Sequence, residues 1–197
     1  MRYSETHKAE TRERVLKEAA KEIRAKGPDN VAVAGVMARA GLTHGGFYAH
    51  FPSKDALVKE AIGAMFADAR KRTERIDAAG EPRAVLRAYV DFYLSPGHRD
   101  SRDRGCPLPT LSGDFARSQP ATRARFGAGV EGIAGRLAAP LAKLGYPDPQ
   151  AEAHALLAQL VGGVALARAV GDPALSDAML ADTHVSIVAR YGLETAQ

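Results

Sequence analysis

The sequence predicts an all-α fold, a short three-helix unit at the N-terminus followed by a larger helical body. Three observations carry this. Apolar residues recur at the three- and four-residue spacing of amphipathic helices. No segment alternates with period two for long enough to make a strand. Breakers fall at helix-length intervals: Gly80, Pro96-Gly97, Gln119-Pro120, Gly145-Tyr146-Pro147 and Gly171-Asp172-Pro173.

In chain order, residues 9–26, AETRERVLKEAAKEIRAK, put Val15, Leu16, Ala19, Ala20 and Ile23 on one stripe. Gly27-Pro28-Asp29-Asn30 turns the chain. VAVAGVMARA, 31–40, is a second, shorter helix that Gly41 stops. Thr43 is placed to cap a third helix over roughly 43–50. A long helix follows over 53–76, with Ser53 as N-cap and Asp55 in its first turn. Leu57, Val58, Ala61, Ile62, Met65 and Phe66 give it an apolar face. Further helices are expected near 81–95, 107–117, 120–144, 148–170 and 173–190. The expected division is residues 1–54 and residues 55–197, without an internal repeat.

Composition narrows the function. The chain has 197 residues, 46% hydrophobic and 25% charged, as ordinary globular proteins do. It lacks a run of about 18 apolar residues, so no membrane span is expected. The first residues, MRYSETHKAETRER, are charged and do not read as a signal peptide. One cysteine, Cys106, excludes an intrachain disulfide and fits a reducing, cytoplasmic setting. The six histidines are scattered, with no H-x-x-x-H or C-x-x-C pair, so neither a metal site nor a cofactor is expected. The charge is uneven: residues 1–54 hold 10 Lys/Arg against 6 Asp/Glu, whereas residues 55–197 hold 17 of each. A basic unit on a neutral body points to an anionic polymer as partner of that unit alone; the plainer reading is four charges on solvated helix faces.

GLTHGGFYAHF, 41–51, is the most informative stretch. Two short helices joined by a tight turn containing Gly form a helix-turn-helix unit, whose second helix enters the major groove of DNA. Gly45 and Gly46 each cost a helix about 1 kcal/mol relative to Ala. Without a Cβ, they let the backbone approach another surface closely, either DNA or the packed first helix. Phe47 and Phe51, four apart, should anchor the segment in its core. Tyr48, His50 and, on the leading edge, His44 are then left to meet phosphates and base edges. Lys54 begins the next helix, where a cation and free backbone N–H groups can together hold a phosphate.

AGLTHGGFYAHFPSKDAL, 40–57, resembles the helix-turn-helix signature of TetR-family transcriptional regulators, and the resemblance covers about residues 9–62. Beyond that it is architectural: family members carry a larger helical domain that binds a ligand and dimerises. The resemblance implies DNA contacts by Thr43, His44, Gly45, Tyr48, His50 and Lys54, with Thr11 and Arg12 reaching a phosphate, and core roles for Phe47 and Phe51. The chain departs from the family where the second helix begins. Val31-Ala32 stands in place of a capping Ser or Thr, and Asn30 is expected to supply the cap.

In the larger domain, helices 148–170 and 173–190 are the dimer candidates, through Leu156, Leu157, Leu160, Val161, Val164 and Ala165; burial within one subunit is the alternative. Tyr89, Phe92, Tyr93, Phe115 and Phe126 are the candidate lining of a small-ligand pocket, or ordinary core. Cys106 precedes Pro107 at a predicted helix start, near Arg102 and Arg104, an arrangement that lowers a thiol pKa and suits an electrophile or oxidant sensor. A buried small hydrophobe is the alternative.

The expected function is a ligand-responsive repressor. It would be a homodimer on a palindromic double-stranded operator, released by a small-molecule inducer or an electrophile, and not an enzyme. Two other readings stand beside it. One is an enzyme with Cys106 as nucleophile and His98 as base. The other is a DNA-binding protein indifferent to small ligands.

Overall fold

The computed structural model describes residues 2–77 and 80–194. Among the described residues the regular structure is entirely helical. The order is α1 (Arg2–Lys26), α2 (Val33–Arg39), a 3₁₀ helix (His44–Ala49), α3 (Lys54–Asp77), α4 (Pro82–Tyr93), α5 (Pro96–Asp100), α6 (Leu108–Phe115), α7 (Pro120–Lys143), α8 (Pro149–Ala169) and α9 (Pro173–Tyr191).

Every expected helix has a counterpart, with three local corrections. The segment at 43–50 is 3₁₀ rather than α, and Thr43 caps nothing with its side chain. Its carbonyl closes the first turn instead, accepting from Gly46 N–H at 3.1 Å. Pro96-Gly97 does not merely break the chain. Ser95 accepts from His98 N–H at 3.1 Å, and Pro96 takes the first-turn position that α5 needs. Asn30 does not cap α2: its amide donates back to the Lys26 carbonyl at 2.9 Å.

The cap of α2 comes from α1. Glu22 Oε1 accepts from Ala32 N–H at 3.2 Å, which places a carboxylate at the positive end of α2. Glu22 is 5% exposed and is neutralised by Arg39, with Lys26 Nζ 3.6 Å away. A glutamate ten residues upstream thus replaces the missing hydroxyl. At the other end of α2, Gly41 takes φ +75° and lets the chain leave in a left-handed turn.

Two buried clusters form. The first joins Val15, Ala19 and Ile23 of α1 to Val36 and Met37 of α2, Phe47 and Phe51, and α3 from Leu57 to Met65; Leu111 and Phe115 of α6 complete it. The second fills the space between α4, α7, α8 and α9. α3 crosses both regions, packing on α1, α7 and α4. On α8, Leu156, Leu157, Leu160 and Val164 are buried within the chain, so the alternative reading of that face is correct for these four. What α8 and α9 turn outward is a different set. It runs at 155, 158, 162, 165 and 169 on α8, all Ala or Gly, and at 175, 178, 182, 185 and 189 on α9. Leu166, Leu175 and Val185 are the large apolar side chains exposed there.

Glu22→Ala is expected to destabilise the chain by about 2–3 kcal/mol, because Arg39 loses its partner and α2 its cap. Asn30→Ala is expected to cost less than about 0.5 kcal/mol. Thermal unfolding of the two variants checks this, and equal losses would reassign the cap.

Candidate nucleic-acid interface

The 3₁₀ helix is held from beneath. Phe47 and Phe51 are buried, with stacked rings 5.8 Å apart, and Met37 of α2 reaches under Gly46. This anchoring turns the remaining side chains outward. Thr43, His44 and Gly45 are exposed, and Tyr48 is 71% exposed, its ring edge-on to Phe47. His50 is half-buried, and its Nδ1 is enclosed without a hydrogen-bond partner. Lys54 Nζ donates to the Asp29 carbonyl at 2.6 Å, tying α3 to the α1–α2 turn. Of the eight residues expected at DNA, Thr43, His44, Gly45 and Tyr48 are therefore exposed, while His50 and Lys54 are half-buried.

Thr11 and Arg12 are placed differently. Thr11 is 4% exposed and its hydroxyl accepts from Arg14 at 3.3 Å. Arg12 pairs with Glu60 of α3, and its guanidinium lies 4.8 Å from the centroid of the Phe51 ring. In this structure Arg12 braces α1 against α3, and Thr11 is buried beside Arg14.

Gly45 and Gly46 answer to different neighbours. A Cβ on Gly46 would meet Met37 and Thr43 at 3.8 Å, ordinary contact. A Cβ on Gly45 would meet nothing within 4 Å, and its φ is not left-handed. The fold itself therefore gives Gly45 no reason to lack a side chain.

The expected pocket residues do not form one cavity. Phe115 and Phe126 pack together, centroids 4.8 Å apart, with Phe66 beside them in the first core. Tyr89, Phe92, Tyr93 and Cys106 line a separate space of about 20 Å³. That holds roughly one water and no organic ligand. Aromatic content marked packing there.

The thiol expectation is corrected too. Cys106 is buried, and burial pushes its pKa above the ordinary 9.0. The Tyr93 hydroxyl, the Leu108 amide at the start of α6 and the charges of Arg24 and Arg168 offset this only in part. Arg102 and Arg104, the cations expected to activate it, are exposed. His98 is near, but its Nε2 accepts the backbone N–H of Cys106 at 3.1 Å and its Nδ1 bonds the Tyr93 carbonyl at 2.7 Å. Those partners require a neutral ring with the proton on Nδ1, and burial holds its pKa below 6.5. Neither nitrogen is left to act as base on the thiol.

Three arginines fasten the loop that carries Cys106. Arg168 of α8 donates to the carbonyls of Arg99 and His98, each at 2.8 Å, and to Thr110 at 2.7 Å. Arg72 of α3 donates to the Arg104 carbonyl. Arg24 of α1 is 3% exposed and donates to the carbonyls of Asp103 and Met65, each at 3.4 Å. Gly105 is needed for this closeness, since a Cβ would sit 2.8 Å from the Ser101 carbonyl. Sequence reasoning missed all three arginines. The available signal was a cation in the last turn of an apolar-striped helix, Arg24 in α1 and Arg168 in α8.

Comparison with known proteins agrees with this geometry. Residues 15–61 match the family described as "Bacterial regulatory proteins, tetR family". The matched segment holds the second half of α1, α2, the 3₁₀ helix and the start of α3. The uncharacterized HTH-type transcriptional regulator YdgC of Bacillus subtilis (strain 168) is 37% identical over 67 residues, 34% of each chain. That match spans about a third of the relative. The TetR fold extends over nearly the whole chain. E. coli NemR in its reduced form aligns over 90% of this chain and 95% of its own, with a TM-score of 0.78 at 20% identity. A TetR regulator from Chloroflexus aurantiacus J-10-FL aligns over 93% and 96%, with a TM-score of 0.78 at 23% identity. The chain thus carries a segment similar to that family's model and shares the fold of these solved regulators. Among its described residues no helix is long and apolar enough to cross a membrane.

Burial of Cys106 sets its reactivity. At pH 7.5 the native thiol should alkylate with iodoacetamide at least about tenfold more slowly than the urea-unfolded chain. Its folded pKa lies above the unfolded value of about 8.5, so its stabilising contribution is complete below that pH and is lost as pH rises through the folded pKa. The urea midpoint should fall between about pH 8 and 10, and less steeply in Cys106→Ala. Equal alkylation rates in native and unfolded protein would show the thiol to be accessible.

Proposed function

We propose that this chain is a ligand-responsive repressor. It acts in the cytoplasm as a homodimer on a palindromic operator and is released by a non-covalent small molecule. Residues 1–54 serve as the DNA-binding unit and 55–197 as the regulatory and dimerisation unit. The observation that carries the DNA half is Gly45. Its bare backbone has no neighbour within 4 Å in the chain, and it sits between exposed His44 and exposed Tyr48. A close approach that the fold does not require is what a duplex surface needs.

In this reading Thr43, Tyr48 and Lys54 hold phosphates, His44 reads base edges and His50 steadies the edge. Thr11 and Arg12 support α1 rather than touching DNA first. The outward faces of α8 and α9 support dimerisation, because Ala and Gly on α8 let a partner helix approach closely beside Leu175 and Val185. A two-fold dimer would set its reading helices about 34 Å apart. Release then needs only a few kcal/mol of difference in ligand affinity between two domain arrangements. α3 is the natural lever, since its N-terminal half belongs to the core that holds the reading helix. The buried, deactivated Cys106 favours a non-covalent ligand over an electrophile.

The test is fluorescence anisotropy of labelled DNA from the flank of the protein's own gene, against a scrambled duplex at two salt concentrations. Specific, salt-sensitive binding is expected, and equal affinity for both duplexes would overturn the assigned operator. Tyr48→Phe and Lys54→Ala should weaken binding about evenly across sequences, Lys54→Ala also flattening the salt slope by about one unit. His44→Ala should change which operator is preferred. Gly45→Ala should leave the chain as stable or slightly more so, yet weaken operator binding by about tenfold. Retained affinity in all four variants would overturn the docking.

A further inference from the structure

A cleft of about 490 Å³ opens between α3 and α7, apart from the closed aromatic space beside Cys106. Its volume lies within the roughly 300–1,000 Å³ of small-molecule sites. Phe66 and Ile133 give it an apolar floor, and Arg70, Arg125 and Arg136 stand around it. Among the described residues no Asp or Glu lines it. Neither the Arg70 nor the Arg125 guanidinium has a hydrogen-bond or ion-pair partner among the described residues. The nearest carboxylate in the adjoining groove, Glu60, is already taken by Arg12.

The cleft exists because α7 presents glycine there. The Phe66 ring lies against the Gly129 backbone, where any Cβ would overlap it. Gly132 leaves open space, with nothing within 4 Å of its Cβ position. Arg125 reaches across from α7 to rest on α3 at Gly63, which a Cβ would likewise obstruct. Cations gathered over an apolar floor repel one another and focus positive potential into the cleft. An anion with a flat apolar body satisfies both surfaces at once.

We infer that the cleft between α3 and α7 is the ligand site of this regulator, and that its ligand is an anionic amphipathic small molecule. The head group, a carboxylate or another oxyanion, would engage Arg125 and Arg70 while the apolar body lies on Phe66 and Ile133. Drawing Arg125 off Gly63 removes a contact between α7 and the helix that supports the DNA-reading core. The inference rests on the ligand-responsive reading for its regulatory consequence.

The test uses two dyes with the same rings. 8-Anilinonaphthalene-1-sulfonate carries an anion, and N-phenyl-1-naphthylamine does not. Each is titrated into the full chain by fluorescence. The sulfonate is expected to saturate at one site per chain, more weakly at high salt. Arg70→Gln with Arg125→Gln should weaken the sulfonate by about tenfold or more and leave the neutral dye within about twofold. Gly132→Leu, which fills open space, should weaken both dyes by about tenfold with an unchanged unfolding midpoint. Sulfonate affinity that survives both variants, or an arginine variant that weakens both dyes alike, would overturn the site. Operator binding is measured on the same samples without dye. Its loss in the wild-type chain would sink the regulator reading whatever the dyes do, and its retention beside failed dye results sinks the cleft alone.

Discussion

A six-residue helix containing two glycines has no stability of its own, because nucleation costs more than so short a segment returns. Its geometry is therefore imposed by its neighbours. Phe47 and Phe51 drive into a core built from α1, α2 and the first half of α3, and the edge that carries His44 and Tyr48 is whatever their burial leaves outside. Fixed aromatics on one side and a mobile-sized set of donors on the other is how a weak helix becomes a rigid probe. Each other feature of the N-terminal unit serves that clamp. Glu22 holds α2 in place, Arg12 and Glu60 lock α1 to α3, and Lys54 pins the α1–α2 turn.

The same clamp is continuous with the larger domain. Leu111 and Phe115 of α6 close the first core, and Arg24 carries hydrogen bonds from α1 to the Asp103 and Met65 carbonyls. A buried guanidinium requires acceptors, and loop carbonyls that lack helical partners require donors. Arg24, Arg72 and Arg168 meet both needs together. Shifting α1, α3 or α8 away from this loop would leave its carbonyls without these donors.

Cys106 shows how environment outweighs position. A helix start and nearby arginines favour thiolate when the sulfur can be reached by water and its counter-charges can approach. Here the Leu108 amide does contribute, but burial is the larger effect, and Arg102 and Arg104 turn to solvent. Sequence neighbours are not spatial neighbours in an extended loop. The cations that matter to this thiol, Arg24 and Arg168, come from helices 82 and 62 positions away in sequence.

Local signals were enough for the helices, their order and the resemblance of the N-terminal segment to the TetR family. Periodic apolar stripes, Pro at first-turn positions and Gly41 act over a few residues, so they can be read along the chain. The motif around residues 40–57 also declared its inward and outward sides, because four-residue spacing alone separates Phe47 and Phe51 from Tyr48. What depended on meeting a distant partner could not be read in this way. The cap of α2 came from Glu22, not Asn30, and Arg12 paired with Glu60 of α3. The aromatics expected around one pocket divided between two cores. The open space fell instead where glycines of α7 face α3. A cavity is defined by side chains that are missing from two facing surfaces, and only the tertiary structure brings those surfaces together.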